Sequence, residues 1–154
     1  MGIRKAYDAI ENAVESIDAR SAELHTFVAV DGDGATGAFI DAVRANGRAF
    51  DVGAASLPID DGEAGAADAG TLRLRVGCIL RVGYLNVPGN DRRELEVQIA
   101  QDVGDIRTAL MTPTNWDAGT SGIISIEPPG VATRTLDGDI LTVAVPFDML
   151  YREV

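Results

Sequence analysis

Residues 71–85 read Thr-Leu-Arg-Leu-Arg-Val-Gly-Cys-Ile-Leu-Arg-Val-Gly-Tyr-Leu. Every even position is apolar or aromatic: Leu72, Leu74, Val76, Cys78, Leu80, Val82 and Tyr84. The odd positions include Thr71, Arg73, Arg75 and Arg81. A strict period of two over this length predicts a β-strand with one buried face. At ~3.3 Å per residue it spans roughly 45 Å, where a usual strand has about five or six residues. Gly77 and Gly83 fall on the odd face, where a bulge, a bend or a close backbone approach is expected.

Working outward, the other segments cover or pair with this strand. Before it, Ile3, Tyr7, Ile10, Val14 and Ile17 repeat at helical spacing and predict a helix over 3–19. Residues 26–30, Thr-Phe-Val-Ala-Val, read as a short strand. Asp31-Gly-Asp-Gly34 starts like a calcium loop, but its twelfth position is Ala42, where a bidentate Glu is required, so it reads as an acidic turn. Residues 36–45 form a short helix stopped by Asn46-Gly47, and Arg48–Ala54 a further strand. Residues 55–70 hold four acids, no base and no periodicity, and read as an acidic flexible loop within the domain.

After the strand, Asn86–Asn90 is a turn. A helix over 91–110 carries the stripe Leu95, Ile99, Val103, Ile106 and Leu110, with Pro113 just beyond its end. Trp116 lies in the loop 112–120, either as a core plug or as an interface anchor. Then come 122–127, the turn Pro128-Pro129-Gly130, 131–136, the turn Asp137-Gly138-Asp139 and 140–151, an antiparallel meander of three strands. Pro146 cannot donate to a ladder, which predicts an edge or a bulge in the last strand. The expected fold is one α+β domain over 1–154: a mainly antiparallel sheet, two principal helices on one face, and a C-terminal three-strand meander.

Composition narrows the function. The net charge is −11; residues 1–70 carry 13 acids and 5 bases, residues 71–154 carry 11 acids and 8 bases. Such a chain is poorly suited to grip nucleic acid, because phosphate binding needs clustered positive charge. The single cysteine, Cys78, excludes an internal disulfide and Cys-rich zinc patterns, and its apolar-face position reads as core. No run is apolar enough to cross a membrane, and Met1-Gly2-Ile3-Arg4-Lys5 lacks a signal-peptide core, so synthesis and assembly in the cytosol are expected.

Catalytic motifs are not found. His25 is the only histidine, and no G-x-S-x-G, P-loop, H-E-x-x-H or G-x-G-x-x-G stretch is present. The acid pairs Asp60/Asp61 and Asp137/Asp139 sit in Gly-rich contexts and read as acidic turns. The expectation is therefore no enzyme, no cofactor and no metal. Arg73, Arg75 and Arg81 share the odd face of the long strand. They read either as a solvated face or as a subunit interface that pairs with acids such as Asp60 and Asp61, since arginine suits such contacts.

Taken together, several stretches carry a resemblance. They are the order helix–sheet–helix–meander, Arg81-Val-Gly-Tyr84, the helix 93–110 with Arg107 and Leu110, Pro113-Thr-Asn-Trp116, and a last strand ending Phe147…Tyr151. The chain resembles tail-terminator (tail-completion) proteins of long-tailed bacteriophages and phage-like particles. The resemblance implies a structural virion protein in the neck of the tail. It would form a hexameric ring that caps the tail tube, stops its elongation and offers the surface that joins the head connector. The implied partners are other copies of the chain, the tube protein and a connector or stopper, with DNA passing through unbound and no membrane involved. Arg73, Arg75, Arg81, Asp60, Asp61 and Trp116 are the candidate subunit-interface residues, with the long strand and an edge-like last strand as the meeting pair. Another neck component, such as a stopper or adaptor, a tube subunit, or a small ligand-binding domain or enzyme are the alternatives. A closed apolar cleft with convergent polar groups would favour the last.

Overall fold

The computed structural model describes residues 2–17, 37–60, 72–86, 92–116 and 121–153. The elements in chain order are α1 (Gly2–Glu15), α2 (Gly37–Asn46), β1 (Arg48–Ala54), β2 (Ile59–Asp60), β3 (Leu72–Leu85), α3 (Arg92–Leu110), a 3-10 turn (Pro113–Asn115), β4 (Ile123–Ile126), β5 (Thr133–Asp137) and β6 (Ile140–Glu153). The expected strand at 26–30 and the acidic turn at 31–34 lie outside the described residues.

The alternation in 71–85 becomes one of two central strands. β3 and β6 run antiparallel in unbroken register from Leu72↔Glu153 to Leu85↔Ile140. β1 and β2 line the outer side of β3; β5 and β4 line the outer side of β6, against its first and last parts. The register puts like with like: Val76 faces Met149, Cys78 faces Phe147, Leu80 faces Val145, and Val82 faces Val143. All eight of these side chains are buried. Such cross-strand apolar pairs are what fix register, because a slip of one residue would turn the whole set outward.

Two helices close this face. α1 buries Ala6, Ile10, Ala13 and Val14, and α3 buries Ile99, Ile106, Ala109 and Leu110 against the same cluster. The structure is therefore α+β, with the two principal helices on one face of an antiparallel sheet and a C-terminal meander. On the core face, the Tyr7 hydroxyl of α1 is buried beside the Cys78 thiol. Burial first, and then this pairing, holds the tyrosine well above its ordinary range. The thiol is pushed up to about 12, chiefly by burial.

The third helix packs on the opposite face. α2 lays Phe39 and Val43 against Ala49 and Ile140. Gly83 is what admits it: a Cβ there would lie 2.5 Å from Val43 Cγ2 and 2.9 Å from the Phe39 ring. Of the three sequence expectations for Gly83, the close approach is the one observed. α2 ends at Gly47, whose φ of 77° favours glycine and whose N–H donates to Val43 O at 2.7 Å.

Two expectations need correction. β6 as a whole is a central strand and offers no free edge along its length; only around Pro146 does its outer flank lack a strand among the described residues. Pro146 is tolerated because its carbonyl accepts from Gly130 N at 2.8 Å on the side away from β3. In a strand the N and C=O of one residue point to the same side, so the missing N–H costs no bond to β3. It falls in the interval between the β5 and β4 pairings, which end at Ala144 and begin at Met149. The stretch 55–70 is also not wholly loop, since Ile59 and Asp60 pair with Arg75 and Leu74.

Candidate interaction face

The even face of β3 is closed by α1 and α3, so any surface for partners on the sheet must come from the odd face. Register assigns its members. From β1 they are Ala49, Asp51 and Gly53; from β3, Arg73, Arg75, Gly77, Ile79, Arg81, Gly83 and Leu85; from β5, Thr133, Thr135 and Asp137; from β6, Ile140, Thr142, Ala144, Pro146, Asp148, Leu150 and Arg152. α2 covers the Gly83 end. At the other end Ile79, Pro146 and Leu150 make a half-buried apolar middle. Leu57 and Ile59, 85% and 61% exposed, border it at the β2 edge. Charged side chains frame that middle. An apolar centre within a charged rim is the anatomy of a protein–protein contact surface.

The three arginines singled out from the sequence all lie on this face, but in three different settings. Arg81 Nε lies 3.5 Å from Asp51 Oδ1, whose carboxylate is buried on β1 directly across the ladder. Arg75 pairs with Glu127 beyond the end of β4. Arg73 stands opposite Arg152 in the β3–β6 register, a like-charge cross-strand pair. Arg75 and Arg81 each keep over a third of their side-chain surface accessible, at 35% and 38%.

The remaining candidates separate. Asp60 ends β2 opposite Leu74. Asp61 lies outside the described residues. Trp116 is 4% exposed, within the main core, and its indole N–H donates to Leu110 O at 3.0 Å. Of its two sequence readings the core plug is the one observed: the 3-10 turn after α3 folds the ring back under the helix end, away from any surface where a neighbour could touch it.

The sequence reading missed a buried ionic cluster on the core face. Arg48 Nη1 donates to both carboxylate oxygens of Asp102, each at 3.0 Å, and the Tyr84 hydroxyl donates to Asp102 Oδ2 at 2.8 Å. All three side chains are almost fully buried. β1 and β3 place Arg48 and Tyr84 opposite each other, and α3 supplies the acid from above. Burial pushes the Asp102 carboxyl above its ordinary range, against the pull of Arg48 and Tyr84. Burial also raises the Tyr84 phenol, reinforced by the adjacent carboxylate. Every partner is thereby kept inside a dry site, and the cluster locks α3 to the β1–β3 pair. One signal was available: Ile99, Asp102 and Ile106 are spaced as successive members of an inward helical stripe.

A shallow groove open to solvent runs beside α3 and β5, lined by Asn86, Arg92, Leu95, Glu96, Arg134, Leu136 and Leu141. Glu96 is held there by Arg134 at 2.5 Å, with Arg92 4.0 Å away. This is not the closed cleft that a small ligand would need. Among the described residues no group of three or more His, Cys, Asp or Glu could hold a metal ion, and no helix is long and apolar enough to cross a membrane. No protein-family model matches the chain, and no curated protein matches it significantly in sequence.

Proposed function

We propose that the chain is a structural assembly protein, the subunit of a ring that caps a phage-like tail tube, ends its growth and presents the surface joined by the head connector. The observation that carries this reading is the division of labour across the sheet. One face is sealed by α1 and α3, and the other is left with an apolar middle in a charged frame. A closed ring needs two different patches on each subunit, and a framed face of this kind is suited to be one of them. The segments that carry the family resemblance hold structural places consistent with it. Tyr84 anchors the buried cluster, Pro113–Trp116 closes the core under α3, and Phe147–Tyr151 lines it from β6. The charge of −11 supports a conduit role, because an acidic ring repels the phosphate backbone of DNA and lets it pass.

The test is negative-stain imaging of the purified protein alone and mixed with tail tubes. Single rings that sit at one end of each tube are expected. Long tubes formed by the protein alone would make it a tube subunit instead, and rings that bind only the head connector would make it another neck component.

A further inference from the structure

β5 is exposed along its whole length, and among the described residues no strand pairs with its outer side. The hydrogen bonding of β6 decides which main-chain groups β5 turns outward. Asn86 N–H donates to Asp139 O at 2.7 Å, and Leu85 stands opposite Ile140. That is the mark of an antiparallel pair that exchanges no hydrogen bonds of its own, so the main chain of Ile140 points away from β3 and toward β5. Asp137, Thr135 and Thr133 therefore bond to Ile140, Thr142 and Ala144 across the ladder. By alternation the N–H and C=O groups of Arg134 and Leu136 face outward. β5 pairs without a bulge and holds no proline, so nothing in the strand itself blunts this edge as a template for an added strand.

The side chains of the same two residues line the shallow groove against α3. Leu136, 52% exposed, continues the apolar floor made by Leu95 and Leu141. Arg134 Nη1 donates to both oxygens of Glu96, at 2.5 and 2.6 Å. Arg92 Nε lies 4.0 Å from Glu96 Oε1, beyond hydrogen-bond reach, and that side chain is 76% exposed. The groove thus holds two arginines against one carboxylate, which Arg134 already occupies. The nearest other described acids face elsewhere. Asp137 lies on the odd face, Asp139 pairs with Arg44 at 3.1 Å, and Glu94 is turned ~200° around α3 from Arg92.

We propose that β5 and this groove bind an extended peptide segment of a partner protein, added as an antiparallel strand, with an apolar residue beside Leu136 and an acidic residue beside Arg134. The two lie two positions apart, because alternate side chains of the added strand share the groove face. Residues paired directly across a ladder share a face, so the N–H groups of those two residues are the ones that bond to β5. Arg92 meets the carboxylate, and Leu95, Leu136 and Leu141 pack the apolar side chain. The site goes beyond the ring reading and holds whether or not copies close into rings.

The probe is a fluorescein-labelled heptapeptide of threonines with a leucine two positions before an aspartate, titrated with the purified full chain by fluorescence anisotropy. Arg92→Glu should weaken its binding about tenfold or more, and a peptide with lysine in place of aspartate should recover binding on that variant. Circular dichroism and thermal melts check that Arg92→Glu is folded, as expected at so exposed a position. Two N-methylated peptides test the edge on the unaltered protein. Methyl groups on the leucine and aspartate nitrogens should abolish binding, whereas methyl groups on the threonines next to them should leave it. A heptapeptide that does not bind wild type at millimolar concentration, binding unchanged by Arg92→Glu, or equal effects of the two methylation patterns would each overturn the proposal. Self-association of the chain that Arg92→Glu abolishes while the peptide stays unbound would give the edge to a second copy and overturn it as well.

Discussion

The two faces of the sheet solve opposite problems with the same strand. On the even face of β3 each position from Leu74 to Tyr84 meets an apolar or aromatic partner from β6, and α1 and α3 lie over them. Charged groups enter there as a paired cluster of Arg48, Asp102 and Tyr84. On the odd face the sheet is covered at one end by α2 and carries accessible ion pairs at the other. The contrast shows that an arginine's meaning comes from its depth. Arg48, 2% exposed, is a structural bolt, whereas Arg75 pairs with Glu127 at the surface with about a third of its side chain accessible.

The largest effect should come from breaking the buried cluster. Asp102→Ala leaves Arg48 charged and without its carboxylate in a dry interior, and should cost about 3–5 kcal/mol of unfolding free energy. Arg75→Ala removes a half-exposed bridge to Glu127 and should cost less than ~1 kcal/mol. Urea denaturation of the two variants beside wild type measures both. Equal losses would mean that the two faces do not differ in the way described.

Much of this contrast was legible in the sequence, and the part that was not has physical causes. Strict alternation in 72–84 and in 141–151 marked both central strands, since a half-buried strand must alternate. The stripes of α1 and α3 marked their buried sides. Asp102 was hidden because a pattern search treats an acid as a break in an apolar stripe, and its partner Arg48 lies 54 positions away. Pro146 suggested an edge because a missing N–H is a local signal, while whether that N–H was needed depends on which flank of β6 lacks a strand. The arginine row was visible as a row, but Asp51 and Glu127 come from other strands, so the sequence could not divide it. Trp116 was ambiguous for the same reason: the fate of a loop tryptophan depends on how the turn before it folds.

On the α2-covered end of the odd face the expected effect is intermediate. Gly83→Ala forces Val43 and Phe39, both buried, to move away from a Cβ that has no room. Overpacking of this kind costs about 1–3 kcal/mol. Gly77→Ala, on the same face at the open end, meets chiefly the Ser56 side chain and should cost less. Comparing their thermal melts locates the border between the covered and the open part of the face. Equal shifts in the two would place α2 elsewhere.

The subtlest difference should appear at alkaline pH, where the core face titrates. Cys78 is an acid whose pKa rises from 9.0 unfolded to about 12 in the fold, because burial penalises the thiolate. The neutral thiol is therefore favoured by folding. Its contribution is fully present below pH 9.0 and is lost as pH climbs toward about 12. Tyr7, Tyr84 and Tyr151, all raised by burial, act in the same direction from a higher starting point. The urea midpoint of the wild type should accordingly decline above pH 9.0, and more gently in Cys78→Ala over the first part of that range. A thiol reagent at neutral pH should leave the folded protein unlabelled and modify it once denatured. Identical pH slopes for the two proteins, or rapid labelling of the native chain, would mean that the even face is not sealed by α1 and α3 at the strand around which it is built.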